Sequence, residues 1–210
     1  MGASLKQLYN NLLQGNGITV KRHGAERKVR ITWLNLYNEP SILRELTEVI
    51  HAETDERRYT PDSILSVETS GAKYGVVTSL RFNLPYVSIH RYEKIIFEDP
   101  VWVESVTQTE AGRNSFRLYA DRSVMQLFKR PLFVDDIRRT SRTMKDSILL
   151  AKDCGALVEA CFVILDFKFA GHPFPPEIDV NRYHPLFIIS EIDDQGRCIV
   201  DDKSLALKYL

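Results

Sequence analysis

Strand-like and helix-like segments alternate through the middle of the chain, and this alternation is the feature that most constrains the fold. Short apolar runs that predict strands occupy residues 63–67, 86–90, 132–135 and 157–166. Helical spacing of apolar residues predicts helices over 41–50, after Gly71 and between Thr143 and Gly155. Because alternating strands and helices favour parallel pairing, the sequence predicts an α/β fold with a central, mostly parallel sheet flanked by helices.

Two segments depart from this alternation. Residues 101–123 alternate weakly around Gly112, which predicts a hairpin or mobile loop projecting from the sheet. Near the C-terminus, "LFIISEIDDQGRCIVDD" predicts a second, small hairpin that turns at 193–196. We expect one domain over 1–210, with a core at about 31–166 and a C-terminal elaboration at 167–210.

The charge balance and the hydropathy exclude several kinds of partner. The 28 basic residues match the 28 acidic ones, so no net field draws the chain to nucleic acid or membrane. No apolar stretch approaches the ~20 residues of a membrane span, and the first residues lack the apolar core of a signal peptide. We therefore expect a cytoplasmic protein. The three cysteines lack metal-ligand spacing and are expected to be reduced thiols.

The stretch "FVDDIRRTSRT" over 133–143 combines two acids with a hydroxyl-rich helix start. Asp135 and Asp136 end a predicted strand, which is where open α/β sheets bind ligands. The following helix start offers unpaired backbone N–H groups and a positive dipole end, which suit a phosphate. The hydroxyl donors there are Thr140, Ser141 and Thr143, and the cations are Arg138, Arg139 and Arg142. For Arg138, a surface charge and a ligand contact fit the pattern equally well.

The two acids need a partner other than phosphate, because like charges repel. Carboxylates accept hydrogen bonds from hydroxyls or bind a divalent cation. A phosphorylated sugar supplies both requirements, with ring hydroxyls for the acids and a phosphate for the helix start. The sequence therefore predicts a ribose phosphate site.

This stretch resembles the phosphoribosyl diphosphate signature of type I phosphoribosyltransferases, in which two acids precede a Thr-Gly-x-Thr-like loop. Ser141 stands where the family usually has Gly, and Arg139 stands where many members have Ala, Thr or Asp. The resemblance implies that Asp135 and Asp136 are the catalytic, ribose-binding acids. It implies a 5′-phosphate loop formed by Arg139, Thr140, Ser141, Arg142 and Thr143.

The resemblance covers about residues 31–166 and includes further substrate-binding segments. "SVETSGAKYG" is similar to the family's diphosphate loop, which implies diphosphate contacts from Thr69, Ser70 and Gly71. "VSIHRYEK" is similar to an Arg-Lys-x-x-Lys strand end, which implies substrate contacts from Arg91 and Lys94. Residues 101–123 fall where the family carries a flexible loop that closes over the reactants.

The resemblance also implies an activity. A nucleobase nitrogen displaces diphosphate from C1 of 5-phosphoribosyl 1-diphosphate, and the product is a nucleoside monophosphate. Mg²⁺ is the implied cofactor, and Asp135 and Asp136 would hold it indirectly, through water or the ribose. Members of the family commonly form homodimers, so a homodimer is expected here.

The implied nucleobase is a purine. The opening "VRITWLNLYNEPSILRELTEVI" resembles archaeal-type purine enzymes, in which a short strand precedes the first helix. Lys168 follows the last core strand, where 6-oxopurine enzymes place a lysine on the exocyclic oxygen. Arg139 replaces the acid that serves those enzymes as a general base, which favours adenine because arginine stays protonated. The Phe-Pro-x-x-Gly-Ile pattern of adenine enzymes is missing, so adenine and hypoxanthine or guanine stay open.

Two alternatives remain from the sequence. Some proteins of this fold are non-catalytic regulators that sense phosphoribosyl diphosphate and bind nucleic acid. The basic cluster "KRHGAERK" over 21–28 is small, and we interpret it as a solvated loop rather than a nucleic-acid surface. The second alternative is an orotate or pyrimidine phosphoribosyltransferase.

Overall fold

The computed structural model describes residues 3–23, 26–68, 70–109 and 112–210. The strands are β1 (Ile18–His23), β2 (Glu26–Ile31), β3 (Ser63–Val67), β4 (Tyr86–Ile89), β5 (Pro100–Thr109), β6 (Gly112–Asp121), β7 (Pro131–Arg138), β8 (Ala160–Asp166), β9 (Tyr183–Ile192) and β10 (Cys198–Val200). The helices are α1 (Ala3–Gln14), α2 (Thr32–Asn35), α3 (Pro40–Glu56), α4 (Ala72–Phe82), α5 (Arg122–Met125) and α6 (Arg142–Asp153). Short 3-10 turns cover Lys168–Ala170, Val180–Arg182 and Leu205–Tyr209.

A six-stranded sheet in the order β10-β9-β8-β7-β3-β4 forms the centre of the fold. The strands from β9 to β4 pair in parallel, and β10 pairs antiparallel at one edge. The carboxyl ends of the parallel strands therefore share one side of the sheet, where ligands bind in open α/β folds. This topology confirms the predicted α/β class.

Buried apolar residues explain why these segments form strands and helices. All residues of β3 and β8 are buried, as expected for inner strands of a parallel sheet. Helix α3 begins with Pro40, whose missing N–H costs nothing in the first turn. It buries a stripe that contains Ile42, Leu46, Val49 and Ile50. Each such side chain contributes roughly 1.5–3 kcal/mol of transfer free energy on burial.

Strand β7 is longer than its sequence pattern predicted. The predicted strand ends at residue 135. In the structure, Ile137 also pairs with Leu165 of β8, and Arg138 pairs with Asp166. The neighbouring strand therefore extends β7 through the polar residues. As a result, Asp135 and Asp136 lie within the strand, and the loop to α6 begins after Arg138.

Both predicted hairpins are present. Strands β5 and β6 pair antiparallel from Pro100–Asp121 to Thr109–Gly112. Residues 110–111 lie outside the described chain. His90 and Tyr119 exchange backbone hydrogen bonds of 2.8 and 2.7 Å, which fix this hairpin to the end of β4. The second hairpin joins β9 to β10 and turns at Gly196, whose φ is +83°. Strand β9 also joins the central sheet, so the C-terminal segment supplies part of the core.

The N-terminal segment contains elements that the sequence pattern did not reveal. Strands β1 and β2 form a separate two-stranded sheet, so the loop interpretation was wrong for residues 21–23 and 26–28, while residues 24–25 lie outside the described chain. Val20 pairs with Val29, and both pack against the core, which supplies the driving force for the hairpin. Strand β2 does precede α2 and α3, as the resemblance implied. No helix in the described ranges is both long and apolar enough to cross a membrane.

Candidate active site

Asp135 and Asp136 lie side by side near the carboxyl end of β7, and both are more than nine-tenths buried. Oδ1 of Asp135 accepts the backbone N–H of Asp136 at 2.9 Å. Oδ1 of Asp136 accepts the N–H of Ile137, also at 2.9 Å. These local bonds orient both carboxyl groups while leaving further oxygen lone pairs for other donors.

The environment raises the pKa of both acids. Burial, with the neighbouring charge of Asp136, raises the pKa of Asp135 well above its usual value. Burial likewise raises the pKa of Asp136, against the smaller opposing effect of Lys73. Two carboxylates this close resist simultaneous ionisation, so the pair retains a proton in the free protein above the usual range for aspartate.

A small cleft surrounds the acid pair. One cavity of about 110 Å³ is lined by Val67, Ser70, Gly71, Arg91, Asp135, Asp136, Ile137 and Thr143. A second cavity of about 100 Å³ lies along residues 137–144 and shares Asp135, Ile137 and Thr143 with the first. The structure thus brings the acids together with the predicted diphosphate loop, Arg91 and the predicted phosphate loop. Thr69 lies outside the described residues.

Gly71 allows the loop after β3 to approach the acids. A Cβ atom at this position would lie 2.5 Å from Oδ1 of Asp135 and 3.3 Å from the carbonyl oxygen of Val67. The first distance is far below van der Waals contact, so any side chain would displace the carboxylate. Only glycine fits here, and helix α4 begins at the next residue.

Ser141 shapes the loop between β7 and α6. Its φ is +62°, a left-handed conformation that is uncommon for residues with a Cβ. Its Oγ accepts a hydrogen bond of 2.7 Å from Nε of Arg138, and the side chain is buried. The hydroxyl predicted to face a phosphate is therefore engaged inside the protein, and the backbone N–H is what Ser141 offers to the cleft.

Arg138 is buried, so the surface interpretation of this residue was wrong. Its Nη1 donates to Asp166 at 2.8 Å, and its Nη2 donates to the carbonyl oxygen of His172 at 2.7 Å. The guanidinium also lies 3.8 Å from the ring centre of Phe174. Since Arg138 also donates to Ser141, it ties the phosphate loop to β8 and to the segment after it.

The remaining members of the predicted phosphate loop differ in exposure. Thr143 lines both cavities, and Thr140 accepts the backbone N–H of Arg142 at a long 3.4 Å. Arg139 is exposed at the mouth of the second cavity. Arg142 points from α6 toward β5, where it contacts Ser105.

Lys94 and Lys168 do not line this cleft. Nζ of Lys94 donates to the Tyr92 hydroxyl at 3.0 Å and lies 3.6 Å from Glu68. Nζ of Lys168 donates to Asp201 at 2.8 Å, and that ion pair lowers the pKa of Asp201 to about 2. A base contact from Lys168 would therefore compete with Asp201.

Lys73 is a basic residue near the acid pair that does not belong to the predicted site. It occupies the first turn of α4, where its Nζ donates to the carbonyl oxygen of Leu34. Burial lowers the pKa of Lys73, and the charge of Asp136 opposes that shift. The sequence signal for this proximity is the position of Lys73 two residues after Gly71, on a helix that begins at the cleft.

Oxygen ligands dominate the cleft, and they suit Mg²⁺ better than softer metals. Among the residues that the structure describes, no three His, Cys, Asp or Glu side chains converge as a metal centre. The donor set for a hard cation is thus the acid pair with oxygens from water or ligand.

Known proteins of similar sequence and structure are phosphoribosyltransferases, although no family model matches the chain. An adenine phosphoribosyltransferase of an Acidovorax species is 27% identical over 136 residues, which span 65% of this chain and 71% of the relative. A xanthine phosphoribosyltransferase of Levilactobacillus brevis is 23% identical over 142 residues, 67% of this chain and 72% of the relative.

A solved adenine phosphoribosyltransferase from Thermoanaerobacter pseudethanolicus superposes with a TM-score of 0.65 and 18% identity, covering 88% of this chain and 98% of that one. This superposition confirms the predicted phosphoribosyltransferase fold. Together with the sequence similarities, it confirms the predicted resemblance to type I purine phosphoribosyltransferases.

Proposed function

We propose that this protein is a purine phosphoribosyltransferase. It transfers the 5-phosphoribosyl group from 5-phosphoribosyl 1-diphosphate to a purine nitrogen and releases a nucleoside monophosphate and diphosphate. The observation that carries the proposal is the cleft itself. In it, a buried acid pair lies between a glycine-dependent loop at α4 and a helix-start loop at α6. The named relatives that act on adenine and xanthine support a purine acceptor.

The acid pair and the α6 loop would hold the ribose phosphate. Asp135 and Asp136 accept hydrogen bonds from the two ring hydroxyls, which is the role that their buried, oriented oxygens fit. Backbone N–H groups of residues 139–143 and the positive end of α6 bind the 5′-phosphate. The hydroxyls of Thr140 and Thr143 add donors, and Arg139 and Arg142 add positive charge.

The loop before α4 would hold the diphosphate. Ser70 and Gly71 offer backbone N–H groups beside the acid pair, and Arg91 supplies a cation that lines the same cavity. Thr69 would contribute a further backbone group to the diphosphate. Lys94 would reach the diphosphate by leaving Tyr92 and Glu68, its neighbours in the free protein.

A magnesium ion fits this site through its substrate. When bound, Mg²⁺ would neutralise charge on the leaving diphosphate. Asp135 and Asp136 would hold it indirectly, through water or the ribose hydroxyls. The raised pKa values of the pair imply that binding of hydroxyl donors and a cation displaces the retained proton.

The protein's own contribution is positioning, charge and exclusion of water. Hydrogen bonds on both sides of the ribose fix C1 relative to the incoming nitrogen, which removes an entropic barrier. The hairpin of β5 and β6 adjoins the cleft through Arg142 and is the element that would cover it. Lys168 would contact the base after release from Asp201, and the favoured purine stays open.

Diphosphate release tests the proposal directly. Purified protein is incubated with phosphoribosyl diphosphate, Mg²⁺ and, separately, adenine, hypoxanthine, guanine, xanthine or orotate. We expect release with at least one purine. Release with orotate alone would replace the purine assignment, and binding without release by any base would identify a non-catalytic sensor.

Asp136→Asn tests the site. The variant should bind phosphoribosyl diphosphate at least about tenfold more weakly, since hydrogen bonds to charged groups contribute about 1.5–3 kcal/mol. Asp99→Asn, at an exposed aspartate outside the cleft, is the matched control and should bind normally. Unchanged affinity in Asp136→Asn would contradict the assignment.

The homodimer and the cytoplasmic location stay predictions. Exposed apolar residues on α4 and after the edge strand β4 support self-association, namely Val76, Leu80, Ile95 and Ile96. Sedimentation velocity measures the oligomeric state, and a concentration-independent monomer would exclude the dimer.

A further inference from the structure

The ring of Phe116 in β6 contacts two arginine side chains. Its centroid is 5.1 Å from Cζ of Arg91 and 4.8 Å from Cζ of Arg142. Both distances lie within the range of cation–π attraction. The two arginines come from different parts of the chain, one after β4 and one at the start of α6, so the hairpin residue joins them.

A second residue of the hairpin, Ser105, accepts hydrogen bonds from the guanidinium of Arg142. Ser105 stands directly opposite Phe116 across the two strands. Nε of Arg142 donates to Oγ of Ser105 at 3.1 Å, and Nη2 donates to the Ser105 carbonyl oxygen at 3.2 Å. The guanidinium of Arg142 is therefore held by both residues of one cross-strand pair, Phe116 and Ser105. Its Nη1 atom takes no part in these contacts.

The two arginines line the two neighbouring cavities that share Asp135. Arg91 lines the cavity that contains Ser70 and Gly71, and its charge lowers the pKa of Asp135 against the larger effect of burial. Arg142 lines the other cavity, along the phosphate loop. Arg91 is exposed to solvent, and its guanidinium lies over the Phe116 ring.

We propose that Phe116 is a positioning residue that holds both arginines for the two anionic ends of phosphoribosyl diphosphate. This inference rests on the proposed function for the identity of the ligand. An arginine on an aromatic face has fewer rotamers to lose when an anion binds, so preorganisation increases affinity. One ring thereby serves the diphosphate side and the 5′-phosphate side together.

A purely structural role is the competing explanation, because Phe116 also packs against the core cluster that contains Val101 and Leu118. The hairpin supplies a matched control. Trp102 lies on the other face of the hairpin, is about half exposed, and has Cζ of Arg117 4.5 Å from its ring. Trp102→Leu removes an aromatic–arginine contact from the same hairpin without touching Arg91 or Arg142.

Calorimetric titration with phosphoribosyl diphosphate and Mg²⁺ tests the proposal. Phe116→Leu should weaken binding about tenfold, because it removes two cation–π contacts. Phe116→Tyr keeps an aromatic face and should restore affinity to within about twofold. Trp102→Leu should bind like the wild type. In turnover assays, KM for phosphoribosyl diphosphate should rise in Phe116→Leu while KM for the purine stays unchanged.

A background that lacks the arginines separates positioning from folding. When Arg91→Met and Arg142→Met are already present, adding Phe116→Leu should weaken binding no further. Thermal unfolding of each variant records any loss of stability. Equal weakening with and without the arginines, or wild-type affinity in Phe116→Leu, would overturn the inference.

Titration with inorganic diphosphate and with phosphate distinguishes this inference from the proposed function. If the wild type binds these anions but not phosphoribosyl diphosphate, the proposed function fails, and weaker anion binding by Phe116→Leu would still support the positioning role. If the wild type binds neither, both proposals fall.

Discussion

Two strand-to-helix loops border the acid pair, and they solve opposite steric problems. The loop before α4 has an ordinary conformation at Gly71, with φ −68° and ψ −30°, but leaves no room for a side chain beside Asp135. The loop before α6 has room for the side chain of Ser141 but imposes a φ of +62°. Glycine at the first position is thus required by space, and serine at the second is retained in spite of the backbone.

The difference teaches that a side chain can compensate for a strained backbone. A left-handed residue with a Cβ costs about 1–2 kcal/mol. The hydrogen bond from Arg138 to Ser141 offsets part of that cost, because it satisfies a buried donor on a charged group. Where type I phosphoribosyltransferases usually have glycine, this chain thus has a strained serine whose hydroxyl accepts a hydrogen bond from Arg138.

Arg138→Met should have the largest effect and would break the support of the α6 loop. It leaves the buried carboxylate of Asp166 without its ion pair, which typically costs about 3–5 kcal/mol. Urea unfolding measures this loss. Arg44→Met, at an exposed position of α3, is the control and should change stability by less than about 0.5 kcal/mol. Equal stability of the two variants would contradict the buried role of Arg138.

Gly71→Ala should break the other loop. Its Cβ would meet Oδ1 of Asp135 at 2.5 Å, and overpacking of this kind costs about 1–3 kcal/mol. Since the carboxylate must move, binding of phosphoribosyl diphosphate should also fall. Gly75→Ala meets Oγ of Ser66 at the same 2.5 Å, on the part of α4 that faces β3. Gly75→Ala should therefore lower stability, but the folded variant should bind phosphoribosyl diphosphate as tightly as the wild type. Similar losses of affinity in Gly71→Ala and Gly75→Ala would refute a specific role for Gly71 beside Asp135.

A pair of substitutions at Ser141 sharpens the comparison. Ser141→Ala keeps the strain and leaves Nε of Arg138 without its acceptor, which should cost about 1–3 kcal/mol. Ser141→Gly also loses the hydrogen bond but relieves the left-handed strain, so its stability should stay within about 1 kcal/mol of the wild type. Denaturant unfolding of the two variants ranks them. A glycine variant less stable than the alanine variant would disprove the strain argument.

The acid that Gly71 approaches, Asp135, should give the protein a distinct dependence of stability on pH. Because the folded-state pKa of Asp135 is raised, the folded protein retains a proton that the unfolded chain has lost. Stability should therefore fall as pH rises from about 4, the unfolded value, to the raised pKa, at about 1.4 kcal/mol per unit of pKa difference. Asp135→Asn should remove the part of this fall that Asp135 contributes, and pH-dependent urea unfolding measures the difference.

Ligand binding has the opposite dependence on pH. The ionised pair accepts the ribose hydroxyls, so affinity for phosphoribosyl diphosphate with Mg²⁺ should increase as pH rises through the raised pKa. Titrations at a series of pH values check this slope. A wild-type affinity that is flat over this range, or a slope that persists in both Asp135→Asn and Asp136→Asn, would show that another group controls binding.

Much of the fold follows from local patterns. Short, mostly apolar runs predicted β3 and β8, and helical spacing with Pro40 and Gly155 predicted α3 and α6, because these signals act over a few residues. The N-terminal hairpin was missed since its strands are polar on one side and its stability comes from packing Val20 and Val29 on the core. The extension of β7 was missed because pairing with β8 supplied it.

The sequence by itself determined the alternation of strands and helices, the acid pair at a strand end and the two loops that flank it. These features depend on chain order and residue type. The tertiary structure alone decided that Arg138 is buried, that Ser141 faces inward and that Phe116 meets Arg91 and Arg142. Such contacts join residues distant in sequence, and their strength depends on burial that only the assembled sheet, helices and hairpin create.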